Sequence, residues 1–273
     1  MRILALFAAA CTLTAADNAR EIVRKSVQLM DQNLVTARNY TFLERTETRE
    51  FDGGGRVKSH KIELFDVTLL EGSPYRRLVG KDDHPLSPEE QRNEEKKLQE
   101  SIAQRQKETP EQRARRIAEW EKRRQREREP LAEIPDAFDF RITGEEVLEG
   151  RPAWVLEATP HPGYHARSAL AQYFPKFRGW LWVDKGDNQW VKTEAEAMDN
   201  LWWGLFLARL NKGARLNIQM TRVNDEVWLP RRVDAQGSGR LALFKRLSLA
   251  SQTTFSEYRK FQAESRIVAV TPP

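Results

Sequence analysis

Beyond residue 39 most of the chain outside a charged insert reads as strands, in several of which apolar and polar residues alternate one by one, and that period of two constrains the fold more than any other feature. In "VKTEAEA" (191–197), Val191, Thr193, Ala195 and Ala197 share one face, while Lys192, Glu194 and Glu196 share the other. The habit recurs at Trp154, Leu156 and Ala158 and at Leu216, Ile218 and Met220, while "NYTFLERTETREF", rich in Thr and aromatics, "RVKSHKIELFDVTLL", "VWLPRRVDAQGSGRLALF" and "QTTFSEYRKF" read as further strands. Short turn signals separate the runs, among them "DGGG" at 52–55 and "EGSP" at 71–74. The apolar phase slips between Leu64 and Phe65, which predicts a bulge. Connections this short join antiparallel neighbours, so the spacing predicts one antiparallel sheet, strongly curved or closed to a partial barrel.

Two stretches break the pattern. Ile22, Val23, Val27, Met30 and Leu34 recur at helical spacing, so 19–35 reads as an amphipathic helix. At about 87–129 the chain turns highly charged. "SPEE" (87–90) and "TPEQ" (109–112) each place a hydroxyl residue, a proline and a Glu or Gln at the cap, first and third helical positions. Two exposed helices are expected, an inserted hairpin supported by Glu111–Arg115 and Glu119–Arg123 pairs. The expected class is therefore α+β: a half-open, curved antiparallel β-barrel with an N-terminal amphipathic helix and a charged helical insert.

The opening "MRILALFAAACTLTAADNA" has the layout of a secretory signal peptide, with cleavage expected after Ala16. The expected domains are then 1–16, signal peptide, and 17–273, a single barrel domain in the periplasm or secreted. Cys11 is the only cysteine and falls inside the leader; lipid anchoring through it is not expected. The mature chain would have no disulfide, thiolate metal site or cysteine nucleophile, and no span is expected in it. The 45 basic and 40 acidic residues are interleaved, whereas a nucleic-acid surface gathers one sign. No nucleic-acid partner is expected.

Catalytic patterns do not emerge. Pro162 and Gly163 separate His161 from His165 and argue against a helical metal pair; no metal or cofactor is expected. The glycine-rich runs lack a phosphate-loop pattern, and no nucleophile elbow is present. The chain reads as non-enzymatic.

The tryptophans remain. Trp180, Trp182, Trp190, Trp202, Trp203 and Trp228 all fall in the C-terminal third. In "WLWV" both strand faces carry apolar groups, so each needs a cover: the N-terminal helix on one, a lid or ligand on the other. Within "DNLWWGLFLARL" the 201–207 run does not alternate, which suits a connector helix or a strand edge dipping into the barrel mouth. The expected cavity and lid residues are Trp180, Trp182, Trp202, Trp203, Phe206 and Leu207.

The succession "FRGWLWVDKGDNQWVKTEAEA", "FLARLNKGARL" and "TRVNDEVWLPRRV" resembles exported bacterial proteins of the LolA/LolB-like superfamily, over roughly residues 19–85 and 136–262. That resemblance implies a half-open barrel closed by helices around a hydrophobic cavity for lipid or lipoprotein acyl chains. It also implies that the 201–207 connector faces or covers the cavity. The insert is larger than the family pattern needs. The expectation is thus a carrier or sensor of a lipid or acylated peptide. The alternative is an envelope interaction protein that binds a protein partner through 87–129.

Overall fold

The computed structural model describes residues 3–203, 208–241 and 245–261, with side chains from residue 17 onward apart from 203 and 241. It contains one antiparallel sheet, built mainly from the strand runs that the sequence marks. The strands are β1 (Tyr40–Phe51), β2 (Val57–Leu70), β3 (Ser73–Lys81), β4 (His84–Pro85), β5 (Phe138–Leu148), β6 (Arg151–Pro160) and β7 (Phe177–Asp184). They continue as β8 (Trp190–Ala197), β9 (Leu201–Trp203), β10 (Ala208–Leu210), β11 (Arg215–Val223), β12 (Val227–Leu241) and β13 (Lys245–Lys260). The order across the sheet is β4-β3-β2-β1-β13-β12-β11-β8-β7-β6-β5, and the end strands do not pair with each other. The sheet is open, as a half-open barrel requires. Short β9 and β10 pair together, and β10 joins the far end of β12.

Helix α1 (Ile3–Ala37) lies across β5, β7, β8 and β12. Ala19, Ile22, Val23 and Val27 face Phe138, Phe140, Leu156, Ala158, Leu181 and Val183, which form the main core. Burial of this stripe, at roughly 25 cal/mol per Å2 of apolar surface, is what holds α1 to the sheet. A 3₁₀ turn (Glu129–Glu133) and the short α4 (Ile134–Ala137) complete this layer, and a second 3₁₀ turn (Ala171–Lys176) enters β7.

The insert is the expected hairpin: α2 (Pro88–Gln106) and α3 (Pro110–Arg128). Both start in reciprocal capping boxes, Ser87 with Glu90 and Thr109 with Gln112. The expected surface pairs are redistributed, because Arg115 turns to Glu119 at 3.1 Å instead of to Glu111. Docking is by specific groups at the β2–β3 turn. Arg116 donates to Ser73 Oγ at 2.6 Å and to the Glu71 carbonyl at 2.9 Å, while Leu98 is buried. Gly72 sits at φ +84° with Ile117 packed against it; a Cβ there would lie 2.8 Å from the Ile117 methyl.

The slip foreseen at Leu64 and Phe65 is a register shift against β3. A second shift was not legible. Trp182 pairs with Lys192 but Val183 with Trp190, so Val191 is an extra residue. Val191 therefore packs with Trp182 and Trp228, while Thr193 and Ala195 border the opposite side of the sheet. The expected common face of these residues is broken by that bulge.

Candidate functional site

On the side of the sheet that carries α1, strands β5 to β8 and β11 leave room that side chains do not fill. The space measures ≈ 370 Å3. Phe138, Phe140, Leu181, Trp190, Leu216 and Ile218 line its sheet side, and Leu131, Ile134 and Phe174 close it from the helical layer. Alternation puts these residues together: Leu181 pairs with Thr193, Thr193 with Ile218, and Ala195 with Leu216. Gly179 keeps the strands close here, for a Cβ at that position would lie 2.2 Å from the Glu194 carbonyl oxygen.

The cavity continues toward the far strand ends. A neighbouring hollow of ≈ 540 Å3 shares Phe177 and Leu216 with it and is bordered by Ala208, Leu210, Ala214, Leu247 and Leu249. Leu201 is buried with Ala197 and Ala214, and Leu210 packs on them. Thus the base of the greasy 199–216 stretch is a β-hairpin anchored in core. The Tyr173 hydroxyl donates to the Trp202 carbonyl at 2.9 Å, and Lys176 donates to the Asn200 carbonyl at 2.8 Å. The bonds tie the second 3₁₀ turn to the hairpin's first strand and to the residue before it.

Sizes of this order and walls almost wholly apolar suit the burial of a hydrocarbon group, since ligand pockets commonly span roughly 300–1,000 Å3. Arg178 and Glu194 border the inner space, Arg209, Arg215 and Arg240 border the hollow, and one further charge stands behind the wall. Buried Glu133 accepts from the Tyr164 hydroxyl at 2.6 Å and from the Arg167 amide at 2.8 Å, fixing the 161–167 loop beside Ile134. Burial pushes this carboxyl up, but those hydrogen bonds and the Arg167 charge outweigh it and hold it below the usual carboxylate range.

The residues expected at the cavity are placed elsewhere or only partly described. Trp180 and Trp182 lie on the opposite face of β7 from Leu181, in a second cluster with Ala153, Val191, Trp228, Val155 and Met220. Trp182 donates from its indole to Glu146 at 2.6 Å, and Lys192 Nζ stands 3.8 Å from its ring centroid. Trp202 is 40 % exposed on β9, with the Arg209 guanidinium 5.2 Å from its ring centroid. The backbone of Trp203 is in β9; its side chain, and all of Phe206 and Leu207, lie outside the described residues. Trp190, read in the sequence only as one of six clustered tryptophans, does line the cavity. Phe138, Phe140 and Ile218 were also missed, although their alternation in "FDFRI" and "LNIQM" was the available signal.

His161 contacts Asp139 at 2.9 Å through Nδ1. Among the described residues no group of three or more His, Cys, Asp or Glu side chains could hold a metal ion, and no helix is long and apolar enough to cross a membrane.

Sheet, helical layer and intervening cavity define a class: an open antiparallel sheet curved over helices with a greasy space between. Solved structures similar to this chain include a putative outer membrane lipoprotein-sorting protein domain from Vibrio parahaemolyticus, at 11 % identity and TM-score 0.35, covering 90 % of this chain and 95 % of that one. A DUF1329 family protein from Desulfovibrio piger ATCC 29098 gives 12 % identity and TM-score 0.32 over 92 % and 95 % of the two chains. A LolA superfamily protein from Nitrosomonas europaea gives 11 % and 0.31 over 90 % and 94 %. No protein-family model matches the chain, and no curated protein matches it significantly.

Proposed function

We propose that this protein is a non-enzymatic carrier or sensor of a hydrophobic ligand, a lipid or an acylated peptide. The supporting observation is the apolar cavity on the α1 side of the sheet and its continuation under the β9–β10 hairpin. An acyl chain entering it would be held by burial alone, with each methylene removed from water contributing about 0.8 kcal/mol. The ligand-contacting residues in this reading are Phe138, Phe140, Leu181, Trp190, Leu216 and Ile218, with the β9–β10 hairpin and its Trp202 as the cover. Residues 1–16 act as a cleaved export signal, and 17–273 form one domain that works in the periplasm or outside the cell.

The test is titration with a fluorescent fatty acid. Ala195→Trp places a large ring in the cavity and should weaken uptake by about tenfold or more, given the lost burial of several methylenes. Trp182→Leu, on the other face, should leave uptake within about twofold, since it removes no contact to the cavity. Equal affinity in both variants and the parent would rule out the cavity as the binding site.

A further inference from the structure

Three arginines stand directly opposite one another on neighbouring strands. Arg209 of β10 pairs with Arg240 of β12, and Arg240 pairs with Arg246 of β13. Like charges placed opposite each other across a ladder repel. Guarding a sheet edge does not explain them, because β12 is hydrogen-bonded on both sides at this point. Among the described residues no acidic side chain forms an ion pair with any of the three. The Nε of Arg209 is buried with no hydrogen-bond partner, and its guanidinium lies against Trp202.

These side chains border a cleft of ≈ 720 Å3, together with Lys58, Asn211 and Ser238. The cleft's own acids are engaged. Glu50 accepts from Lys58 at 2.8 Å, and Asp52 takes the amides of Gly54 at 2.8 Å and Arg56 at 3.0 Å. Asn211 donates to Ser238 Oγ at 2.8 Å, while its carbonyl oxygen is buried without a donor. The site thus offers three guanidinium forks and one lone acceptor. A phosphate-type oxyanion matches that set: its charged oxygens accept from the forks, and a hydroxyl on the phosphate or its ester group would donate to Asn211.

We propose that the Arg209–Arg240–Arg246 ladder is an oxyanion-binding site for a phosphate group. It lies at the same strand ends as the apolar hollow, and the two spaces share Arg209, Ser238, Gly239, Arg240 and Leu247. The phosphate can therefore come from a phospholipid headgroup or from a free phosphate. The site does not depend on the carrier reading, because none of its arginines borders the inner cavity closed by Leu131 and Ile134.

The full chain is titrated with inorganic phosphate by calorimetry and sedimented with phosphatidylcholine vesicles made with and without phosphatidylglycerol. Arg240 and Arg246 are exposed, so the double variant Arg240→Gln, Arg246→Gln should fold; circular dichroism checks this. It should weaken binding by about tenfold or more, as loss of charge-assisted hydrogen bonds does. Arg240→Lys, which keeps the charge but loses the fork, should fall between it and the parent. Lys122→Gln, an exposed cation on α3, should bind as the parent does. Sedimentation that needs phosphatidylglycerol and is competed by phosphate makes the partner a lipid headgroup. Phosphate binding without sedimentation makes it a free phosphate. No binding of either probe, or a double variant indistinguishable from the parent, overturns the site. An Ala195→Trp protein that loses fatty acid yet binds phosphate normally would separate this site from the cavity.

Discussion

The two faces of β7 are both apolar and have opposite fates. On one face Leu181 and Val183 join the α1 core, and beside them the sheet and helical layer leave a cavity. On the other, Trp180 and Trp182 pack with Trp228 and Val191, and their polar edges are fastened by charge. Trp182 donates to Glu146, Trp228 donates to Asp187 at 3.1 Å, and Arg151 reaches both Asp184 and Asp187. Tryptophans pack together and are fixed on the second face, whereas the side chains around Gly179 on the first, Trp190 among them, leave space. A tryptophan count measures apolar bulk; it does not say where bulk is missing.

Sharp contrasts between the faces follow. Trp182→Ala should cost about 4 kcal/mol of unfolding free energy, in the range for large-to-small aromatic core changes, while fatty-acid uptake per folded molecule stays unchanged. Urea unfolding alongside the fluorescent titration checks both halves.

Asp184 holds the turn beneath that aromatic cluster. Its buried carboxylate takes two bonds from Arg151, both at 2.8 Å, and the amides of Gly186 and Asp187. Asp184→Ala should destabilise by about 3 kcal/mol, because it strands the partners of a buried ion pair. Burial raises this carboxyl, but Arg151 and the two amides lower it further, so the net shift is downward; Glu133, behind the cavity wall, shows the same net direction. A depressed folded-state value gives stability that is present above the unfolded value, about 4 for Asp and Glu, and is lost as pH falls through the folded one. Urea midpoints should therefore drop below about pH 4, and Asp184→Ala should flatten part of that drop.

The insert supplies the smallest effect. Ser87→Ala removes one side of a capping box and should cost about 1 kcal/mol, with no change in ligand uptake. A larger loss of uptake would tie α2 to the cavity and blur the separation between body and insert.

Most of the architecture was legible because its signals are local. Period-two alternation marked β6, β8 and β11, residue composition and turn signals marked most other strands, and Ser87-Pro88 and Thr109-Pro110 marked both inserted helices. The slip at Leu64 also showed in the sequence. What failed was a question of side. "WLWV" is apolar on both faces, so the sequence could not tell which face α1 covers, and the extra residue Val191 reversed the expected grouping on β8. Strands β5 to β8 and β11 and three helical segments build the cavity, and only their tertiary registry brings Phe140, Leu181 and Ile218 together. The 201–207 run read as a connector helix or a strand edge, for a three-residue strand is too short to show a period; β9 pairs with β10 as a hairpin, and β10 joins it to β12.

The central claim is that the cavity beside Leu181 holds a hydrocarbon ligand, and native mass spectrometry of protein purified without detergent, followed by lipid extraction, tests it most directly. The account predicts a stoichiometric extra mass that extraction identifies as a lipid or acylated peptide and that Ala195→Trp abolishes. A bare protein mass, with no uptake of added fatty acid or phospholipid, would contradict it.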